Sequence, residues 1–401
     1  MTAQYDAIIT GAGPAGTSTA HILGRRGYRV LLIDKKTFPR DKACGGGITF
    51  KSRKALQKLG LWDTFRKTSP FCAHGYSLYS SDMSEITIRR HDDNDQAAIH
   101  ITRRGDFDNL LLEAAKNCKN VTFLDGCTAE ELLMDNGQAR GIRLSGCGHT
   151  ELHAPLVIDA TGVNAALAAK AGMLYSGPGT CALAVRGYYS GMRNLSNVIE
   201  IYFDENVLPG YYWIFPLSPT EANIGCGSFQ HIIHKRGLNL RKLLENFLST
   251  HPIAANKAQV ATLRGKLRGG RIPLAMEHDR SRVAGGFMVV GDAAGFVNPV
   301  TAEGIAFALD SGIMAAEAGA DALQRGDLSR DSLQAYDRLW MERFGEQFSK
   351  SVVFSDGFPP EVYAQYVNAA LERNGAIKAA IQDRGRQYEL MVKLKAIVKS
   401  L

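Results

Sequence analysis

Three glycines and one aspartate near the start of the chain have the types and spacing of a phosphate- and ribose-binding site. Gly11, Gly13 and Gly16 form G-x-G-x-x-G, and Asp34 follows about 20 residues later. The first glycine allows a tight turn, the second lets backbone approach a pyrophosphate, and the third permits close packing of helix on strand. An acid at Asp34, rather than an arginine, favours a ribose without a 2′-phosphate, as in FAD or NAD.

A strand–turn–helix–strand unit is needed to position these residues. Residues 6–10 are a short apolar run typical of a strand, residues 17–26 have a helical pattern, and residues 29–33 form a second apolar run that ends at Asp34. This order places phosphates at the helix N-terminus, where free N–H groups and the helix dipole attract anions. A glycine-rich turn without a ligand is the alternative.

A second candidate segment carries Cys44 followed by Gly45, Gly46 and Gly47. Three consecutive glycines give a permissive backbone that a planar ligand can approach, and a flexible loop explains them equally well. Cys44 itself is either a small buried residue or a functional thiol.

Late in the chain, Asp292 lies between two glycine-rich turns. It follows an apolar run at 287–290, and NPVTAEG at 298–304 leads into a long alanine-rich helix at 305–323. The pattern predicts a further parallel strand whose end carries Asp292 as a ligand or as an N-cap. Glu303 is either a catalytic acid or an ordinary acid of the first helical turn.

Tyr211, Trp213 and Phe215 alternate, so a strand at this point would place their side chains on one face. Such a stripe usually belongs to a core, and the wall of an apolar site is the alternative.

The order of the elements predicts an α/β fold with a Rossmann-type domain interleaved with an antiparallel-sheet substrate domain and followed by a C-terminal helical segment. We expect the nucleotide-binding domain to comprise residues 1–71, 101–178 and 281–330, the substrate domain 72–100 and 179–280, and the C-terminal helices 331–401.

The composition is that of an ordinary globular chain. With 401 residues and 45% hydrophobic content, it can bury a large core and hold two or three domains. The net charge of +7 comes from scattered Lys and Arg, so nucleic acid binding is not predicted, but contact with anionic lipid or a phosphorylated substrate stays open. The cysteines are dispersed without C-x-x-C, so we expect a reducing cytosol, no disulfide framework and no zinc or other metal site.

Membrane insertion is not predicted. The nucleotide-binding unit begins within five residues of the N-terminus, so no signal peptide is expected, and no apolar run approaches the length of a membrane span. We expect a cytoplasmic protein and leave open peripheral contact with the inner face of the membrane. A C-terminal helical face with Leu390, Leu394, Ile397 and Leu401, flanked by lysines, either docks on the core or lies on a membrane.

The separated motifs together resemble a known fold family. GAGPAG at 11–16, VIDATG at 157–162 and VVGDAAG at 289–295 are similar to the FAD-binding motifs of the para-hydroxybenzoate hydroxylase superfamily. Within that superfamily, PRDKACGGG at 39–47, YYWIFP at 211–216 and PVTAEGI at 299–305 resemble the geranylgeranyl reductase family. The resemblance covers about the first 330 residues and implies the GR2-type FAD-binding fold.

The resemblance also implies roles for individual residues. Asp34 would bind the adenosine ribose, Asp292 would bind ribityl or ribose hydroxyls, and either Arg103 or Arg104 would contact the diphosphate. Cys44, Gly45 and Gly46 form the implied catalytic segment, and Tyr211, Trp213, Phe215 and Pro216 form the implied substrate wall. The residues expected at the cofactor are Gly11, Gly13, Pro14, Ala15, Gly16, Asp34, Lys35, Lys42, Ala43, Cys44, Arg103, Arg104, Thr161, Gly162, Gly291, Asp292, Pro299, Ala302, Glu303, Gly304 and Ile305.

The implied activity is FAD-dependent reduction of C=C bonds in an isoprenoid or similar apolar substrate. Reduced flavin N5 would deliver hydride to one alkene carbon, and Cys44 or a nearby water would protonate the other. NAD(P)H or a ferredoxin-type donor protein would supply the electrons.

Other activities fit parts of the pattern. A monooxygenase or a halogenase acting on an aromatic natural product could use the same fold, although a halogenase would need a Gly-Glu pair and a nearby lysine where this chain has CGGG. An electron-transfer flavoprotein that reduces quinone would need an iron–sulfur cluster, for which the cysteine spacing offers no site. Two departures from the relatives' patterns are Ala302, where the family usually has glycine, and Ala160-Thr161-Gly162, where the superfamily has Asp-Gly.

Overall fold

The computed structural model describes residues 4–351, apart from 69–70, 82, 84, 90–98, 149, 174, 176–177, 278 and 350. The helices predicted beyond residue 351, including the face with Leu390 and Leu394, lie outside the described residues.

The strands are β1 (Ala7–Thr10), β2 (Val30–Ile33), β3 (Gly47–Ile48), β4 (Phe71–Ala73), β5 (Gly75–Tyr79), β6 (Glu85–Arg89), β7 (Ile99–Ile101), β8 (Val121–Leu124), β9 (Thr128–Asp135), β10 (Gln138–Ser145), β11 (Glu151–His153), β12 (Leu156–Asp159), β13 (Cys181–Ser190), β14 (Ile199–Tyr202), β15 (Tyr211–Pro216), β16 (Glu221–Phe229), β17 (Thr262–Pro273), β18 (Val283–Ala284) and β19 (Phe287–Val289).

The α-helices are α1 (Pro14–Arg25), α2 (Phe50–Leu59), α3 (Trp62–Thr68), α4 (Arg104–Lys116), α5 (Ala166–Lys170), α6 (Gln230–Arg236), α7 (Leu240–Thr250), α8 (Pro252–Ala258), α9 (Ile305–Arg325) and α10 (Arg330–Trp340). A π-helical turn, Met341–Gly345, follows α10.

The first sheet has the order β18-β19-β12-β1-β2-β8 and is parallel except at β18. Its central strands β1, β2 and β12 are buried throughout, as expected where helices cover both faces. Helices α1 and α9 pack closely because residue 312 is glycine, and the Thr19 hydroxyl donates to the Gly312 carbonyl at 3.1 Å. The predicted Rossmann-type unit is therefore present.

The second sheet has the order β17-β13-β16-β15-β14-β5-β6 and is antiparallel except for the β14–β5 pair. Helices α7 and α8 cover one face, where Phe247 stacks on Tyr212 with ring centroids 4.2 Å apart. The opposite face meets the nucleotide-binding fold. Strands β5 and β6 come from early in the chain, so the two units are interleaved, as predicted from the order of the elements.

Strand β17 and the short helices α6 and α8 were not predicted. In β17 the residues are mostly exposed and rich in Arg, Lys and Gly, because the strand lies at the edge of its sheet. An exposed edge strand has no apolar alternation from which to predict it.

The expectation of unpaired cysteines is wrong for one pair. Cys127 and Cys147 form a disulfide, with their Cα atoms 5.2 Å apart. The β9–β10 hairpin sets Thr128 opposite Ser145, so the residues just outside the hairpin meet. Dispersed spacing along the chain does not reveal a contact that depends on hairpin register.

Among the residues that the structure describes, no helix is both long and apolar enough to cross a membrane. The same residues contain no cluster of three or more His, Cys, Asp or Glu side chains that could hold a metal ion.

Candidate active site

The turn between β1 and α1 has the geometry that a bound diphosphate requires. Gly11 has φ +101°, and a side chain there would collide with the carbonyl of Ala160. Gly16 packs on the Gly11 carbonyl, whereas a Cβ at Gly13 would meet only the Arg40 guanidinium, at 3.6 Å. No side chain caps the first turn of α1, so its N–H groups stay available to an anion.

The Asp34 carboxylate is held at the carboxyl end of β2. It accepts hydrogen bonds from the Ala12 N–H at 2.9 Å and the Lys36 N–H at 2.8 Å, and the Arg40 Nε lies 3.7 Å away. This buried acid therefore fixes the glycine turn as well as standing where a ribose is expected. Lys35, beside it, is exposed.

Asp292 pairs with Lys42 across 250 residues of sequence, with Nζ 2.8 Å from Oδ2. Burial raises the pKa of Asp292, but the Lys42 ammonium and the nearby Arg104 outweigh it, so the net pKa lies below the usual range. The same carboxylate lies close to Gly304, where a Cβ would be 3.4 Å from Oδ1. The structure thus brings three predicted cofactor residues together.

The loop before α9 is held by Asn298, whose side-chain oxygen accepts the N–H groups of Val300 at 2.9 Å and Thr301 at 3.0 Å. Ala302 has φ +54°, a left-handed conformation in which glycine is the favoured residue. The departure noted in the sequence therefore falls on a strained position. No side chain caps α9 at Gly304, and Ile305 begins the helix.

Glu303 is engaged by polar neighbours. Its carboxylate accepts a short hydrogen bond from the Thr49 hydroxyl, and the Lys51 ammonium lies 3.7 Å away. These contacts connect the loop before α9 to residues 49–51, which follow the Cys44 loop.

The two candidate arginines differ in position. Arg104 is buried and makes a two-pronged ion pair with Asp108, at 2.8 Å for each bond. Burial lowers the pKa of Arg104, but Asp108 and Cys44 raise it more, so the guanidinium stays charged beside the Cys44 thiol. Arg103 is half-buried, pairs with Glu221 at 2.8 Å and lies over the Tyr188 ring.

The Cys44 loop is shaped by its glycines. A Cβ at Gly45 would lie 2.8 Å from the Phe215 ring. Gly46 has φ +78°, and a side chain there would strike the Thr102 carbonyl. The Gly46 N–H lies 3.4 Å from the half-buried Cys44 Sγ, and Ala43 packs against Gly270 of β17. The triple glycine is therefore a closely packed segment with specific contacts.

The aromatic stripe faces this loop. The ring centroids of Tyr211 and Trp213 are 6.1 Å apart, and those of Trp213 and Phe215 are 6.2 Å apart. Tyr212 and Ile214 point the other way into the core under α7, so the stripe is separate from that core. By strand alternation Pro216 lies on the core side, away from the other three predicted wall residues.

Asn223 joins the stripe to the loop. It accepts a hydrogen bond from the Trp213 indole at 3.1 Å and donates to the carbonyls of Cys44 at 2.8 Å and Gly45 at 3.0 Å. It is almost fully buried on β16. Sequence reasoning missed it; the available signal was a polar residue inside an otherwise small and apolar strand, ANIGCG.

The VIDATG segment completes the nucleotide fold. Asp159 is buried at the end of β12 and accepts from the Thr161 backbone and hydroxyl at 2.9 Å and 2.6 Å. Gly162 has φ +75° with open space where a Cβ would stand. Gly291, with φ +60°, packs on Ala15 of α1, and Pro299 is buried in the loop before α9. The N-termini of α1 and α9 have no side-chain cap, and Asp34 and Asp292 lie just after β2 and β19. This arrangement fits a dinucleotide such as FAD.

Two known domain families match this chain. The FAD binding domain matches residues 4–203, and the geranylgeranyl reductase catalytic domain matches residues 182–266. Together with the interleaved fold, these matches define an FAD-dependent oxidoreductase.

Curated relatives narrow the class. A menaquinone reductase from Mycobacterium tuberculosis is 31% identical over 359 residues, covering 86% of this chain and 81% of the relative. A digeranylgeranylglycerophospholipid reductase from Methanococcoides burtonii is 28% identical, covering 89% and 85%. The chain belongs to the geranylgeranyl reductase family.

Solved structures agree at the level of the fold. A geranylgeranyl bacteriochlorophyll reductase-like protein from Thermoplasma acidophilum has a TM-score of 0.84 at 22% identity, over 98% of this chain and 96% of that protein. A flavin-dependent brominase has a TM-score of 0.75 at 21% identity, over 99% of this chain and 98% of that protein. The similarity to the brominase is therefore a similarity of fold.

Proposed function

We propose that this protein reduces carbon–carbon double bonds of an isoprenoid chain with FAD as its redox cofactor. The observation that carries the proposal is the junction of the Cys44 loop with the aromatic stripe. Phe215 packs on Gly45, and Asn223 bonds both segments. The loop that carries the Cys44 thiol is thereby fixed beside an apolar wall, an arrangement suited to a hydrocarbon acceptor.

The relatives support a prenyl chain as the reactive part of the substrate. Menaquinone and digeranylgeranylglycerophospholipid, after which the two relatives are named, have different head groups. An isoprenoid chain is what these compounds share. We therefore place the chain against the aromatic stripe.

The nucleotide-binding fold would hold FAD along its length. Gly13 and the first turn of α1 would take the diphosphate, Asp34 the adenosine ribose, and the first turn of α9 the flavin ring. Arg104 is better placed than Arg103 to meet the cofactor, because its charge already acts on Asp292. When bound and reduced, FAD supplies a hydride to carbon.

Cys44, or a water held by it, supplies the proton that the second carbon needs. An isolated alkene accepts hydride poorly, so the reaction depends on fixed orientation, exclusion of water and a positioned acid. The packed glycines fix the thiol, and the aromatic stripe excludes water. The Arg104 guanidinium, held by its two bonds to Asp108, lies beside the Cys44 sulfur and would help to orient the thiol.

We infer that NAD(P)H or a ferredoxin-type protein restores the reduced cofactor between turnovers. We also infer that the protein works in the cytoplasm, at the inner face of the membrane, because prenyl lipids partition into the bilayer.

Product analysis tests the proposal. The FAD-loaded enzyme, reduced without air, is given geranylgeranyl diphosphate, menaquinone or an archaeal-type lipid precursor, and product masses are measured by mass spectrometry. Menaquinone products are first reoxidised in air, so that hydrogens gained by the quinone ring are not counted. We expect gains in steps of two hydrogens. Cys44→Ala should lower kcat by about 10²- to 10⁴-fold with FAD content unchanged, whereas Cys118→Ala, a half-buried thiol outside the junction, should not. Addition of one oxygen in air, without hydrogen gain, would make the enzyme an oxygenase.

A further inference from the structure

A cationic cavity of about 490 Å³ lies beside the Cys44 loop and is not used by the proposed chemistry. Four basic side chains face one carboxylate in its lining. The lining residues are Asp41, Arg186, Tyr188, Arg264, Gly265, Lys266 and Arg268.

The floor of this cavity contains a guanidinium with unused bonding capacity. Arg186 is 2% exposed, and its terminal nitrogen donates to Asp41 and to the Lys42 carbonyl. Its Nε is buried and has no hydrogen-bond partner among the described residues. Since buried donors are normally satisfied, this nitrogen indicates a missing acceptor.

Positive charges are concentrated on the two neighbouring strands that line this cavity. Arg268 stands directly opposite Arg186 across the β13–β17 pair, and Arg264 stands opposite Tyr188. The guanidinium groups of Arg186 and Arg103 both lie over the Tyr188 ring, 4.1 Å and 5.0 Å from its centroid. Asp41 lies between Arg186 and Arg268 and pairs with both, which leaves more cations than carboxylates in the lining. An anionic ligand would neutralise this excess of positive charge.

The cavity shares a sheet face with the aromatic stripe. Trp213, Gly225, Arg186 and Arg268 are successive cross-strand neighbours on β15, β16, β13 and β17. With about 4.8 Å between strands, the row spans about 14 Å from an apolar end to a cationic end. A molecule with an apolar chain and an anionic head matches this gradient.

The geometry points to a phosphate- or diphosphate-binding site formed by Arg186, Arg264, Lys266 and Arg268. Arginine forks and lysine ammonium groups are the usual partners of phosphate oxygens. The phosphate groups belong either to the head of the prenyl substrate, which rests on the proposed function, or to a phosphorylated dinucleotide reductant.

Calorimetric titration of the FAD-loaded enzyme with inorganic pyrophosphate tests the site without turnover. The variant Arg264→Gln/Lys266→Gln removes two exposed cations of the rim. The matched control Arg241→Gln/Lys242→Gln removes two exposed cations of α7. We expect the rim variant to weaken binding by about tenfold or more and the control to leave it within about twofold. Equal weakening in both variants, or no binding to the unchanged enzyme, would overturn the proposal.

Paired ligands then identify the source of the phosphate. Geranylgeranyl diphosphate is compared with geranylgeraniol, and NADPH with NADH, by direct binding to both variants. A loss for geranylgeranyl diphosphate but not for geranylgeraniol assigns the substrate head. A loss for NADPH alone assigns the 2′-phosphate of the reductant, and an equal loss for NADPH and NADH assigns its diphosphate. If geranylgeranyl diphosphate, NADPH and NADH all keep their affinity for the rim variant, the site is not one for phosphate ligands. Since no reaction is required, this result is independent of whether hydrogenation occurs.

Discussion

Individual side chains hold the Cys44 loop against the aromatic stripe, and Asn223 is the clearest case. Its amide makes three hydrogen bonds that connect Trp213, Cys44 and Gly45. An aspartate has nearly the same shape but, when ionised, cannot donate to two carbonyl groups.

We therefore predict that Asn223→Asp lowers the free energy of unfolding by roughly 2–4 kcal/mol and weakens FAD retention, because buried acceptors lose their donors. Urea unfolding and flavin content of the purified protein measure both effects. Asn256→Asp, at an exposed position, should change stability by less than about 0.5 kcal/mol. A loss at Asn223 no greater than at Asn256 would show that the amide does not hold the loop.

Ala302 offers a substitution that should raise stability. Because its φ is +54°, replacement by glycine should relieve strain of about 1–2 kcal/mol, partly offset by the added freedom of the unfolded chain. We expect Ala302→Gly to raise stability by up to about 1 kcal/mol, as measured by the midpoint of urea unfolding. Ala335→Gly, inside α10, should lower it by about 1 kcal/mol. Similar losses for both variants would mean that Ala302 is unstrained.

At the scale of elements, the start of α8 makes the antiparallel sheet domain sensitive to pH. His251 caps α8 by accepting from the Ala254 N–H, and its ring contacts Tyr202 and Phe247 at centroid distances of 5.0 Å and 4.9 Å. Burial lowers the pKa of His251 from its usual 6.5, with Asp204 opposing the shift. The unfolded chain therefore binds the proton more readily than the folded one.

It follows that this histidine costs stability as pH falls below about 6.5. We predict that His251→Asn, which keeps a cap acceptor but does not titrate, reduces the loss of stability between about pH 8 and pH 5.5. The readout is the difference in urea midpoint between the two pH values. His231→Asn, on an exposed surface, should leave that difference unchanged. An unchanged difference in His251→Asn would refute the assignment.

Elements with a strong pattern were predictable from the sequence, and those without one were not. The strand–turn–helix unit at Gly11–Gly16 and the alternating stripe at Tyr211 have local signals that the fold retains. Strand β17 lacks one, since an exposed edge needs no apolar residues, and the basic cavity that it forms was consequently invisible. The Cys127–Cys147 bond depends on the register of the β9–β10 hairpin, and the hydrogen bonds of Asn223 to the Cys44 loop join segments far apart in the chain. Local pattern specifies neither contact.

At the scale of the molecule, the interleaved chain places two functions on facing surfaces. The nucleotide fold presents uncapped helix starts and the Lys42–Asp292 pair, and the antiparallel sheet presents an apolar stripe that grades into a cationic edge. The Cys44 loop lies between these surfaces and bonds to both. This arrangement predicts that an apolar chain is reduced where the loop meets the stripe, and that oxygen takes no part.

The most direct test follows the oxidation state of FAD in single-turnover mixing without oxygen. The FAD-loaded enzyme is reduced chemically, mixed with a prenyl substrate that has no quinone ring, such as geranylgeranyl diphosphate, and followed by its visible absorbance. The account predicts that substrate alone restores the oxidised spectrum and that the product gains two hydrogens for each FAD oxidised. A cofactor that stays reduced with every prenyl substrate, and is oxidised only when oxygen is admitted, would contradict the reductase assignment.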